Sequence, residues 1–315
     1  MPIQEVRGTK ICLHLRNGFQ LAPDRKEPKF VVALIGPNGN LGQALKRNLE
    51  KYDFLVLPIL RVGSNDSKFF CLPHETICTS GIKPNLIVNT SNFYSPKMSA
   101  ENENEMFDSI VGVAKAISIK NLEWRIPIVT FSSYFQFAPI ENKPWSLYSF
   151  MKDQAYELLN ASSAGLGVDH WDFTLHDTYG GVDRGKFFDK LLRAINFSEA
   201  TDATLGEQEI NLTHVDDVGS NLALVFKKYF ENSQDNLAGR YQIKHATTYT
   251  LRSLTKLAED LLGRELPINW GALPYRDREV FDLWEIDLPF IKDFSHSHNL
   301  EEYFSNLNIQ KELKS

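Results

Sequence analysis

Phe30-Val-Val-Ala-Leu-Ile35, followed by Gly36-Pro37-Asn38-Gly39-Asn40-Leu41-Gly42, is the stretch on which the reading of this chain turns. Six apolar residues in a row, half of them β-branched, make a short strand of the kind buried in parallel sheets. After it, apolar residues recur at 41, 44, 45 and 49, a helical period. Between strand and helix stand three glycines spaced G-x-x-G-x-x-G. The first permits a tight turn, the second lets a pyrophosphate approach the backbone, and the third lets helix and strand pack closely. Free N–H groups at the helix start then face the phosphates. The spacing predicts a dinucleotide site at Gly36, Asn38, Gly39, Asn40, Leu41 and Gly42.

Outward from this loop the alternation continues. Strands are expected over 54–60, 86–89, 126–131 and about 171–175, and helices over about 105–119 and 149–159. Strands alternating with helices predict an α/β fold, a Rossmann-type doubly wound parallel sheet. Past residue 176 the pattern is mixed, with helices over 186–195, 216–230 and 251–262, the last ended by Gly263. The expected layout is an N-terminal extension over 1–28 and a cofactor domain over 29–175, re-entered at about 214–245. A smaller mixed α/β substrate domain takes 176–213 and 246–315. The final 25 residues, polar with scattered aromatics, read as a loose wrap.

The second strand ends in Arg61, and no carboxylate follows until Asp66. An acid there would hold an adenosine ribose 2′-OH, whereas a guanidinium suits a 2′-phosphate through paired charge-assisted bonds. The expected cofactor is therefore NADP(H) rather than NAD. A net charge of −6, from 34 basic and 40 acidic residues, leaves no broad basic field for nucleic acid. No apolar leader opens the chain, and no run reaches the roughly 18 apolar residues of a membrane span. Cys12, Cys71 and Cys78 lack CxxC spacing and read as reduced, buried thiols. These features point to a cytoplasmic setting, without a nucleic-acid or membrane partner.

Tyr148-Ser-Phe-Met-Lys152 places a phenol and an ammonium at i,i+4 on one helix face. A nearby ammonium stabilises phenolate and lowers the tyrosine pKa. Such a tyrosine can exchange a proton with a carbonyl or an alcohol near neutral pH. Ser132-Ser133, at the end of a preceding strand, offers a hydroxyl to the same oxygen. His214 with Asp216 and Asp217 reads as a segment entering a helix, with acids near its positive end. Without an H-x-x-x-H or cysteine cluster, no metal site is expected. His170, His176, His296 and His298 form no constellation in the sequence.

Glycine loop, strand-end serine and Y-x-x-x-K together resemble the short-chain dehydrogenase/reductase superfamily, and the rest of the chain resembles its extended, nucleotide-sugar branch. Leu86-Ile-Val-Asn89-Thr90-Ser91-Asn92 is similar to the segment lining the cofactor. Phe131 to Phe137 is similar to the serine-bearing segment, with Phe137 in place of a second tyrosine. Asp177-Thr-Tyr-Gly-Gly181 resembles N-x-Y-G-P, and Thr213-His-Val-Asp-Asp217 resembles H-V-D-D. Within that branch, Tyr134-Phe135, the stretch 177–192 and Trp270-Gly-Ala-Leu-Pro-Tyr-Arg276 most resemble NADPH-dependent 4-ketoreductases of CDP-3,6-dideoxyhexoses, the CDP-abequose and CDP-paratose synthase type.

The resemblance implies reduction of the C4 ketone of a nucleotide-linked deoxy sugar, as in lipopolysaccharide O-antigen biosynthesis. Ser133, Tyr148 and Lys152 would be catalytic. Arg61, Asn89, Thr90, Ser91 and Lys152 would join the glycine loop in holding NADP(H). Asp177, Arg184, Lys186, Phe187 and Arg276 would hold the nucleotide-sugar substrate. It also implies a homodimer, with Ala155, Tyr156, Leu158 and Leu159 at the interface or in the core. An NAD-dependent epimerase and a non-catalytic NADP-binding scaffold protein stay open. Arg61 argues against the first, and the retained tyrosine and lysine against the second. Ser133-Tyr134-Phe135, where a 4,6-dehydratase carries Thr-Asp-Glu, disfavours that activity.

Overall fold

The apolar run forms β1 (Phe30–Ile35), and the period after the glycines forms α1 (Asn40–Lys51). The computed structural model describes residues 30–61, 69–71, 77–78, 82–95, 99–139, 144–182, 185–232 and 238–312. The expected N-terminal extension, Cys12, Asp66 and Arg184 lie outside them. β2 (Phe54–Arg61), β3 (Phe69–Cys71), β4 (Ile77–Cys78) and β5 (Leu86–Asn89) follow, then α2 (Ala100–Phe107) and α3 (Val113–Trp124), joined by a π turn over Asp108–Gly112. The expected helix over 105–119 is thus longer at both ends and interrupted. After β6 (Ile128–Ser133) and a 3₁₀ turn over Tyr134–Phe137 come α4 (Leu147–Leu166) and β7 (His170–Leu175).

Next in the chain are β8 (Asp177–Tyr179), α5 (Phe187–Phe197), β9 (Thr201–Ala203), β10 (Glu209–His214) and α6 (Val215–Asn232). β11 (Gly239–Ile243), β12 (Thr248–Thr250), α7 (Leu251–Leu262), β13 (Ile268–Trp270) and α8 (Leu300–Glu312) complete it. Among the described residues, eight strands form one sheet in the order β11-β7-β6-β5-β1-β2-β3-β4. β1 pairs in parallel with both β2 and β5, so the strand order reverses direction at β1. A ligand crevice opens at such a reversal, outside the carboxyl ends of the strands. The Rossmann-type fold read from the sequence is the fold observed.

The described residues divide into two compact units. The first runs to Thr174 and includes Gly219–Tyr241; the second holds Leu175–Val218 and the chain from Gln242 on. In the first, Ala33, Leu57 and Ile87 of the sheet are fully buried against Ile117 of α3 and Leu159 of α4. In the second, Phe188, Leu191, Leu254 and Leu212 bury one another together with Leu300 and Phe304. These last two correct the reading of the final 25 residues as a loose wrap. Residues 300–312 form α8, and Phe304 is 0% exposed. Sparse apolar residues hid this helix, since its few apolar side chains give a weak periodic signal.

Candidate active site

Gly36 follows β1 with φ 76°, a left-handed backbone that favours glycine. A Cβ there would stand 2.7 Å from the backbone nitrogen of Ser91, which cannot yield as a side-chain tip can. A Cβ at Gly42 would collide with the Gly36 carbonyl oxygen. Both glycines therefore let α1 and the exit of β5 close on the end of β1. Gly39 is the N-cap of α1, with no side-chain cap and no acid in the first turn. The macrodipole adds positive potential at this helix end. Asn38 and Gly39 are exposed, Leu41 is half-buried and Asn40 is buried. This glycine cradle fits a pyrophosphate. Thr90 braces it: the Thr90 hydroxyl lies 2.9 Å from the carbonyl oxygens of both Ile35 and Gly36. Asn89 turns inward on its own strand end, accepting from the Ser91 amide at 3.0 Å. Arg61 is the last residue of β2, level with Cys71.

β6 delivers two serines to different tasks because side chains alternate along a strand. Ser132 is buried and donates to Asp172 at 2.5 Å. Ser133 is half-buried and caps the 3₁₀ turn, its Oγ accepting from the Phe135 amide at 3.4 Å. Its own amide donates to Gln136 Oε1 at 2.7 Å, and Gln136 Nε2 donates to Asp153 of α4 at 2.9 Å. The serine segment is thereby tied to the helix that carries Tyr148 and Lys152. Ser146 starts that helix as N-cap, accepting from the Ser149 amide at 3.1 Å. Tyr148 is half-buried in its first turn, with the Tyr94 ring edge-on at 5.2 Å.

Lys152 lies one turn further on. Its Nζ is 6.0 Å from the Tyr148 ring centroid and donates to the Phe131 carbonyl at 3.0 Å. Burial pushes the ammonium down to about 8, against the opposing pull of Asp172. A lysine so placed stays charged at neutral pH and favours phenolate in its neighbour. The trio read from the sequence therefore shares one strand end and one helix start.

Sequence reading missed the buried polar cluster behind it. Asp172 of β7 accepts from Thr130 at 2.6 Å, from Ser132, and from Arg240 Nε at 3.0 Å. The signal was present as the alternation of His170, Asp172 and Thr174 in and beside the strand expected over about 171–175. Its partner Arg240 carried no signal, standing 68 residues away.

In the second unit, Asp177 and Lys186, read as separate substrate contacts, pair with each other at 2.8 Å. Lys186 is the N-cap of α5, and its amide donates to Asp189 at 3.1 Å. Phe187 packs against the core and faces Trp270 at 6.0 Å. Arg276 is exposed. His214 lies under Gly180, where a Cβ would collide with its imidazole. It stacks on His298 at 4.0 Å. His298, unassigned in the sequence, belongs to a constellation after all: its Nδ1 lies 2.7 Å from Asp217, which also accepts from Ser297 at 2.5 Å. Burial raises Asp217, but hydrogen bonds from Ser297 and His298 outweigh it and hold the carboxyl below its usual range. Among the described residues, no cluster of three or more His, Cys, Asp or Glu side chains has a metal-binding arrangement.

No protein-family model matches the chain. CDP-abequose synthase of Yersinia pseudotuberculosis is 25% identical over 293 residues, covering 87% of this chain and 98% of that protein. Among solved structures, MoeE5 in complex with UDP-glucuronic acid and NAD superposes with a TM-score of 0.70 at 16% identity, over 91% of this chain and all of that one. UDP-glucose-4-epimerase from Stenotrophomonas maltophila, with bound NAD and formylated UDP-arabinopyranose, gives 0.67 at 12% identity over the same shares. A dTDP-4-dehydrorhamnose reductase from Clostridium acetobutylicum gives 0.56 at 14%, over 76% of this chain and 83% of that one. In sequence over most of its length, and in fold, the chain resembles the extended short-chain dehydrogenase/reductases, with CDP-abequose synthase as a relative.

Proposed function

We propose that this chain is an extended short-chain dehydrogenase/reductase that reduces the C4 ketone of a nucleotide-linked deoxy sugar with NADPH, CDP-4-keto-3,6-dideoxyhexoses being the favoured substrates. The observation that carries the reading is Lys152, half-buried one helical turn from Tyr148, with its Nζ 6.0 Å from the phenol ring and donating to the Phe131 carbonyl beside Ser132 and Ser133. The likeness to CDP-abequose synthase supports the substrate class. The glycine cradle would take the dinucleotide pyrophosphate, and Arg61 at the end of β2 supports a 2′-phosphate. A bound nicotinamide cofactor would supply hydride to the carbonyl carbon. Tyr148 donates the proton to the ketone oxygen, and Ser133 orients that oxygen. Lys152 keeps positive charge beside the phenol and would hold the nicotinamide ribose. Asp177, Arg184, Lys186, Phe187 and Arg276 remain the proposed contacts of the nucleotide sugar, an anionic ligand that suits guanidinium and ammonium groups. The setting is cytoplasmic.

The same residues would serve a 4-epimerase, in which hydride is withdrawn from and returned to one substrate. The fold likeness to NAD-bound epimerases favours that second reading. One assay separates them: absorbance loss of NADPH, with NADH as control, across CDP-, dTDP- and GDP-linked 4-keto-deoxy sugars. The reductase reading expects stoichiometric NADPH oxidation with the CDP compound. With the matching C4-hydroxy sugar nucleotides added to the panel, interconversion of C4 epimers without net cofactor oxidation, and no oxidation against the ketones, would replace it by the epimerase.

We also propose a homodimer through α3 and α4. Ile119 and Leu122 of α3, and Phe150 and Leu158 of α4, are exposed on helices that pack together, Leu122 being 61% accessible. Of the four α4 residues named from sequence, Leu159 is core, and Tyr156 turns its ring to Arg240. Leu158 is the one left outward.

A further inference from the structure

Asp172 is 1% exposed, and three donors converge on its carboxylate. Thr130 Oγ1 donates to Oδ1, while Ser132 Oγ and Arg240 Nε donate to Oδ2. Since Thr130 spends its proton on Asp172, the 2.9 Å contact with His170 Nε2 must have the imidazole donating. Arg240 Nη2 also donates to Ser132 Oγ at 3.0 Å. Its guanidinium lies 3.6 Å from the Tyr156 ring centroid and 4.7 Å from that of Phe137. One cation thus touches β6, β7, the turn that follows Ser133, and α4. Asp172 and Lys152 line the same small cavity, together with Asn89, Ser91 and Ile110. A buried ion pair is weak evidence for stability, because well-packed apolar residues commonly do as well. Its placement beside the Lys152 cavity asks for a different reason.

We propose that Asp172 and Arg240 are positioning residues for the Tyr148–Lys152 pair: the carboxylate sets the electrostatics of the cavity that holds the Lys152 ammonium, and the guanidinium fixes the carboxylate and the Ser133 segment in register. The catalytic meaning of this arrangement rests on the reductase reading above; the coupling to Lys152 does not. Among the described residues, β7 contributes Asp172 and His170, β11 contributes Arg240, and α4 contributes Tyr148, Asp153, Tyr156 and Glu157, with Tyr94 edge-on to Tyr148. Asn89, Ser91, Ile110, Thr130 and Ser132 bring no charge from β5, the π turn or β6. Burial lowers His170 to about 4, so it is neutral in the working range. Asp172 is the group that opposes the desolvation of Lys152. Without its charge, Lys152 would lose its proton at a pH where the parent keeps it.

The test reads Lys152 directly in the full chain, by ¹³C NMR of Cε-labelled lysine against pH, with the resonance assigned by its loss in Lys152→Arg. Asp172→Asn should lower the Lys152 titration midpoint by about one unit or more, the scale of a nearby opposite charge. Asp172→Glu, which keeps the charge, should restore it. Arg240→Gln should move it upward by freeing the carboxylate from its counter-ion, and this arm carries the test if Asp172→Asn does not fold. With substrate, the alkaline limb of kcat should follow the same shifts. An unchanged Lys152 midpoint in Asp172→Asn and Arg240→Gln would overturn the proposal, whatever happens to turnover. Shifted midpoints with Tyr148→Phe at parental rate would sustain the coupling and remove the reductase reading.

Discussion

Burial of Lys152 makes the folded chain bind fewer protons than the unfolded chain between about pH 8 and the ordinary lysine value of 10.5. The sign follows from linkage: a base lowered in the fold destabilises it while charged, and the cost fades as pH rises through that window. At roughly 1.4 kcal/mol per unit, the cost below pH 8 is about 3 kcal/mol. Lys152→Met carries no charge, so its stability relative to the parent should be greatest at pH 7. That margin should shrink by about 3 kcal/mol towards pH 10.5. Urea unfolding at several pH values checks this, and a pH-independent difference would show that the ammonium is not held at a cost. Tyr148→Phe should lower kcat by about 100-fold or more, the usual worth of a positioned proton donor. NADP(H) affinity, measured by fluorescence titration, should stay within about twofold. A near-parental kcat would refute the role of the phenol. The phenol and ammonium were legible in the sequence because i,i+4 spacing is local. The counter-charge on Asp172 showed only as an alternation along its strand and its partner Arg240 not at all, because strands apart in the chain become neighbours only in the sheet.

Elements were legible where their pattern is strong. The glycine loop read as strand, turn and helix, and the structure supplies the steric reason in the contacts that Gly36 and Gly42 leave no room to fill. α7 runs over Leu251–Leu262 as read, capped by Thr250 and closed by Gly263 at φ 64°. α8 was not legible, because its helical stripe is thin and its partners lie far back in the chain. Phe304 joins Phe188 at 6.0 Å in the core of the second unit. Phe304→Ala should therefore cost about 3–5 kcal/mol, as for a large core aromatic. A surface wrap would lose less than about 1 kcal/mol. Denaturant midpoints measured at constant slope decide between these outcomes. The interruption at Asp108–Gly112 was also invisible, since one extra residue per turn changes no local propensity enough to read.

At the scale of the whole molecule, the homodimer is the property most open to direct measurement. Sedimentation equilibrium should give twice the 36.0 kDa chain mass. Leu122→Glu with Leu158→Glu should yield monomer, because charge on an apolar interface must be desolvated without a partner. A monomeric parent would remove the proposal, and a dimer indifferent to these changes would move the interface elsewhere. By itself the sequence determined the Rossmann-type alternation, the glycine cradle and the serine–tyrosine–lysine trio, all carried by periodicity or by short fixed spacings. Only the tertiary structure decided that Ser132 turns inward to Asp172, that Lys186 pairs with Asp177, and that Leu300 and Phe304 of the last described helix are core. Each of these depends on which strand lies beside which and on what water is excluded. Burial and pairing are properties of the packed chain, not of any window along it.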